Sequence, residues 1–188
     1  ALTKAQNGVE DALTAKIASE KAKAAAALEA KQAAEAQVEA AQETARAQAA
    51  ASAALQAQQL QERRQTVIAR LSSIYNNFVN TGLSDYGEAI SAYNEGSTYT
   101  FDTYSAEAES VFKTTGDSLS AIENDYSNLE SDIQDAISNL EDAALNCMKA
   151  NANAVEVEAG NSTSYLTNYY HSLCIDSAEK TYSFLNSQ

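Results

Sequence analysis

The sequence predicts an all-α fold: an elongated antiparallel helical bundle or coiled coil with a long alanine-rich N-terminal helix. Three observations carry that expectation. The 188 residues include no proline, the first seventy hold 25 alanines with Gly8 as their one glycine, and apolar residues recur every three or four positions. Alanine, glutamate, lysine and glutamine lose little side-chain freedom in a helix, and a three-to-four spacing places apolar groups on one helical face.

Two segments follow. Residues 1–80 form an alanine-rich helix, and residues 81–188 an acidic, tyrosine-rich helical part ending in a hairpin, the whole making one continuous bundle. In the first segment the larger apolar residues are sparse: Val9, Leu13, Ile17, Leu28, Val38, Leu55, Leu60, Val67, Leu71, Ile74 and Phe78. Ile17 and Leu28, like Leu60 and Leu71, stand eleven apart, so the seam follows a period near 3.6 and predicts little supercoil. Between Gly8 and Gly82 nothing breaks the pattern, and at 1.5 Å per residue the helix would run roughly 110 Å.

Thr81-Gly82-Leu83-Ser84 then reads as a kink with Ser84 as N-cap, and Asn94-Glu95-Gly96-Ser97 as a stop and reversal. Phe101, Tyr104, Ala108 and Val111 resume the pattern, with a weaker interruption at Thr114-Thr115-Gly116-Asp117. From Leu119 through Ile122, Tyr126, Leu129, Ile133, Ala136, Leu140 and Ala143 to Cys147 the spacing is a regular heptad, predicting one helix beside residues 38–75. A last helix is expected from Ser164, burying Leu166, Tyr169 or Tyr170, Leu173, Cys174, Ala178, Thr181 and Leu185. Roughly the first 35 residues would then project without a partner in the chain, which suggests self-association or docking onto another helical chain.

Charge divides with composition. Residues 1–70 hold nine basic and eight acidic side chains, and residues 71–188 three lysines against eighteen acids, about +1 and −15. So acidic a surface repels phosphate backbones and anionic lipid, so neither nucleic acid nor a membrane is an expected partner.

Cys147 and Cys174 match no zinc or redox spacing, but lie thirteen residues either side of Gly160-Asn161. An antiparallel hairpin reversing there brings both sulfurs to one level, and a disulfide is expected, against the alternative of two buried thiols in a reduced protein. Asn161-Ser162-Thr163 is the one N-x-S/T triplet and falls on the same turn, so Asn161 is a candidate glycan acceptor. With the pairable cysteines, and a chain that begins at Ala1 without methionine, it points to a mature secreted protein.

Chemistry is sparse. His171 is the lone histidine, and neither a nucleophile elbow nor a phosphate-binding glycine loop occurs. The Asn124–Asp135 stretch has Leu129 where a calcium loop needs glycine. An enzyme is not expected, and no catalytic, cofactor or metal residue is assigned. The ten tyrosines all lie at or beyond Tyr75. They suit ordinary bundle packing, or a pocket for a small hydrophobic ligand contacted by Tyr75, Tyr86, Tyr93, Tyr104, Tyr126, Tyr169 and Tyr170.

From about Tyr75 onward the chain resembles the secreted insect helical domains called TsetseEP-like. The Cys147 segment, the Asn161-Ser162-Thr163 turn, and Cys174 followed by Ala178-Glu179-Lys180-Thr181-Tyr182 carry the resemblance. The alanine-rich part is similar to secreted insect coiled-coil proteins, silk-like ones included. Both resemblances imply an extracellular, non-enzymatic protein. The expected function is structural or interactive, by self-association through the alanine-rich helix, with a soluble carrier of a small hydrophobic ligand as the alternative.

Overall fold

A computed structural model describes the backbone of residues 2–126 and 128–188 and their side chains from Glu10 onward; Val9 of the apolar seam lies outside the described side chains. Every element among the described residues is helical: α1 (Leu2–Asn77), a π-helical turn (Phe78–Leu83), α2 (Ser84–Asn94), α3 (Thr98–Asp125), α4 (Ser131–Glu158) and α5 (Ser164–Asn186). The chain divides into two compact units, Ala1–Leu60 and Gln61–Gln188.

The first unit is helix alone, and every described side chain from Glu10 to Leu60 is exposed. Its alanines satisfy backbone geometry and offer only methyl groups for burial. Leu55 and Leu60, expected against the heptad helix together with residues 38–54, stand 56% and 64% exposed instead. Burial in α1 begins only where larger side chains become dense, at Val67 and Leu71, with Phe78 following in the π turn.

The second unit is an up-down-up-down four-helix bundle, whose directions follow from the side-chain pairs. Phe78 meets Phe112 and Tyr93 meets Phe101, so the α1–α2 rod runs antiparallel to α3. Ser105 bonds Asn151 and Thr98 bonds Glu158, both centred on residue 128, so α4 returns antiparallel to α3. Cys147 joins Cys174 and Thr181 donates to the Ala136 carbonyl, so α5 returns along α4. Tyr75 with Tyr182, and Tyr86 with His171, close α5 onto the first rod. The core contains Phe78, Phe112, Leu119, Ile122, Ile133 and Ile137, all within a few per cent of full burial.

The heptad segment is therefore two helices, not one. α3 stops at Asp125 and α4 starts at Ser131, with Asn128 in the left-handed region at φ 60°. Asparagine tolerates that region better than most residues, so the reversal needs no glycine. The periodicity persists because both arms of an antiparallel hairpin turn their apolar sides to the same core. Ile122 before the turn and Ile133 after it are both fully buried.

Gly82 does not break the helix either. The backbone passes from the π turn into α2 with helical angles at Leu83, and Ser84 makes no capping side-chain bond. A Cβ on Gly82 would stand 2.8 Å from Phe112 Cε1 and 3.0 Å from Val111 Cγ1, so the glycine is there to let the α3 ring lie on the backbone. Gly116 sits inside an unbroken α3. The reversals made by glycine fall at Gly96 (φ 76°) and Gly160 (φ 77°), where a side chain would be strained. α5 begins at Ser164 as expected and buries Cys174, Ala178 and Thr181, whereas Leu166 and Tyr169 are 40% and 50% exposed.

Candidate functional site

Three features were open to a functional role: the tyrosines, the α4–α5 hairpin, and the exposed face of the first unit. The seven candidate tyrosines do not converge on one cavity. Tyr86 is buried, with its phenol pushed up to about 12 by burial, and its ring lies 5.2 Å from that of His171. Tyr75 stacks on Tyr182 at 6.1 Å, and its phenol is also raised, chiefly by burial. Tyr104 packs beside Phe101 and Ala89 at the opposite end from Tyr126, which lies under the Arg63 guanidinium at 5.5 Å. Tyr169 and Tyr170 meet edge-on, and Lys149 stands over Tyr170. Most of these rings pack against neighbouring side chains of the bundle wall.

Two of the clefts among the described residues of the bundle bear on these rings. One of about 290 Å³ is lined by Ile90, Tyr93, Asn94, Ala154, Val157 and Thr167, among others, so it includes a single candidate tyrosine and no charged side chain. The hydroxyl of Thr167, on its wall, is buried without a hydrogen-bond partner. The other, about 480 Å³ and lined by polar residues such as Gln61, Arg64, Gln65 and Gln188, contains no tyrosine.

Arg64 was not singled out in the sequence, yet it ties three chain segments together. It forms a two-pronged pair with Asp132 at 2.7 and 3.2 Å, a pair with Glu130, and a bond to the Gln188 side chain at 2.6 Å. Hydrogen bonding from Arg64 holds the Asp132 carboxyl below its ordinary value. Arg70 pairs with Asp125 at 2.6 Å. With Arg63 over Tyr126, three cations of α1 thus clasp the α3–α4 turn, where acids Asp125, Glu130 and Asp132 gather.

Across the α4–α5 hairpin, Cys147 and Cys174 are joined in a disulfide with Cα atoms 5.2 Å apart, both residues buried. Asn161 and Thr163 are exposed on the turn, and Ser162 Oγ bonds the Asn153 side chain at 2.9 Å, fixing the loop that presents them. His171 is half-buried, and that burial lowers its pKa; no group of three or more His, Cys, Asp or Glu placed to hold a metal occurs among the described residues.

On the first unit, Leu13, Ile17, Glu20 and Ala24 share one shallow surface, and Lys31, Glu35, Val38 and Gln42 another. At 3.6 residues per turn Leu13, Ile17, Leu28, Val38 and Leu60 fall within about 80° of arc, and each is more than half exposed. Leu55 lies off this seam. Comparisons with protein-family models, with curated proteins and with solved structures give no match. No helix among the described residues is long and apolar enough to cross a membrane.

Proposed function

We propose that this chain is a secreted, non-enzymatic structural or interaction protein that self-associates through its alanine-rich helix. One observation carries the reading: from Glu10 to Leu60 the helix has an apolar seam and no described side chain covered by the rest of the chain. Helices draw most of their stability from a packed face, so a seam left open on so long a segment calls for a second helix. The disulfide and the exposed Asn161-Ser162-Thr163 turn support an oxidising, extracellular setting and a glycan on Asn161, in keeping with the resemblance to secreted insect helical domains.

Light scattering tests the reading. Intact protein is expected as a multiple of its 20.0 kDa chain mass, and Ile17→Asp with Leu28→Asp as a monomer with an unaltered bundle, because charge on the seam removes apolar contact. A monomeric intact protein at high micromolar concentration sinks it. A second reading, a carrier of a small neutral hydrophobic ligand, is supported by the uncharged lining of the Ile90–Thr167 cleft, which would exclude ions. Native mass spectrometry of protein from its source would then show a discrete added mass.

A further inference from the structure

The same seam carries charge as well as leucine, and the order of those charges distinguishes between ways of pairing it. Glu20, Lys31 and Glu35 lie within the arc that holds Leu13, Ile17, Leu28 and Val38, and all are exposed. In a parallel, in-register pair each of the three would meet its own copy, a like charge at the centre of the contact. We infer that two copies of this chain pair antiparallel through residues 13–53, about a two-fold axis near residue 33. This deepens the self-association reading and rests on it.

In that register Lys31 meets Glu35 of the second copy and Glu20 meets Arg46. The two-fold repeats each pair, so four ion pairs form with no like-charge contact among them. Size matches as well. Leu28 stands opposite Val38, while Ile17 and Leu13 stand opposite Ala49 and Ala53, whose methyl groups allow close approach. Lys31 and Glu35 already pair within the chain at 3.9 Å, so the axis is crossed by a quartet of alternating charges. A slide of eleven residues, which keeps the seam nearly in phase, sets Glu20 against Glu35 in one direction and Lys31 against Arg46 in the other. Both are repulsive, so the register is fixed by charge and not by leucine alone.

Pulsed electron spin resonance on nitroxide-labelled full-length protein tests orientation separately from association. Cys147 and Cys174 are bonded to each other, so a label goes only to an introduced cysteine. Ala12 and Ala54 lie off the seam at paired levels. Copies labelled at Ala12→Cys are expected about 60 Å apart, and a mixture of Ala12→Cys and Ala54→Cys copies about 20 Å apart, from a 1.5 Å rise and an 8–10 Å interaxial distance. A short distance between Ala12→Cys labels would overturn the antiparallel arrangement and leave self-association standing. An Ala12→Cys separation near 60 Å without the short mixed distance would overturn the register. Absence of any intermolecular distance, with monomer mass by light scattering, would overturn both readings together.

Discussion

Asn151 and Ser105 exchange two hydrogen bonds in the buried α3–α4 interface: the Ser105 hydroxyl donates to Asn151 Oδ1 at 2.8 Å, and Asn151 Nδ2 donates to the Ser105 carbonyl at 2.9 Å. Asn151 is 2% exposed. The bond pair requires one register of α3 on α4, because sliding either helix leaves a buried carboxamide unpaired. Ser105→Ala is expected to lower stability by about 1–2 kcal/mol, measured by urea unfolding. Asn151→Asp should cost more at neutral pH, since a carboxylate cannot donate to the Ser105 carbonyl, and part of the loss should return on acidification.

Glycine substitutions should divide by what a methyl group would meet. Gly82→Ala places a Cβ 2.8 Å from the Phe112 ring. It should destabilise by about 1–3 kcal/mol, overpacking outweighing the better helix propensity of alanine. Gly116→Ala, in α3 with nothing within 4 Å, should raise stability by up to about 1 kcal/mol. Thermal unfolding of the two variants, moving in opposite directions, checks the packing.

Thr167 is 7% exposed and its hydroxyl has no partner. Thr167→Val keeps the shape and removes an unsatisfied polar group, so stability is expected to rise by about 1 kcal/mol. A fall on denaturant titration would show that the hydroxyl is bonded in solution.

Acid should weaken the bundle in two stages. Burial lowers the His171 pKa from 6.5, so its neutral form is the one the fold favours: that contribution is complete above pH 6.5 and is lost as pH falls through the lower folded-state value. Asp132, depressed below 3.8 chiefly by its hydrogen bond from Arg64, loses its share only below pH 3.8. Glu141 runs the other way: burial raises its pKa, so its unfavourable ionisation is relieved as pH falls through the raised value. His171→Gln should remove the first stage alone, read from unfolding midpoints between pH 7 and 4.

Reducing the disulfide should cost on the order of 3.5 kcal/mol in the chain-entropy account for a closed loop of this length. α5 should lose hydrogen-exchange protection first, while Phe78 and Phe112 stay packed. Equal loss of protection across α3 and α5 would contradict it.

Helix and hairpin were readable because they rest on local signals: alanine content, spacing, and a glycine midway between two cysteines. The α3–α4 reversal was hidden because Asn128 does a turn's work without glycine or proline, and because a heptad reads the same in one long helix as in two arms of a hairpin. Leu55 and Leu60 misled for another reason. Apolar side chains recur there, and Leu60 fits the seam, but recurrence does not say whether anything in the same chain comes near enough to cover them. The tyrosines are spread along the bundle and not gathered on one cleft, since aromatic content records burial and not convergence. Arg64, whose role depends on Asp132 and Gln188 far along the chain, left no local trace.

The disulfide also sets how this chain answers a pull. Tension applied between the N-terminal helix and the C-terminal end would stretch α1, α3 and the near part of α4 as they unravel. The 26 residues between Cys147 and Cys174 would stay out of the load path, withholding about 90 Å of slack at roughly 3.4 Å per residue. In an oxidising medium a fibre or network of such chains would yield only so far, and reducing agent would lengthen it without adding a single subunit.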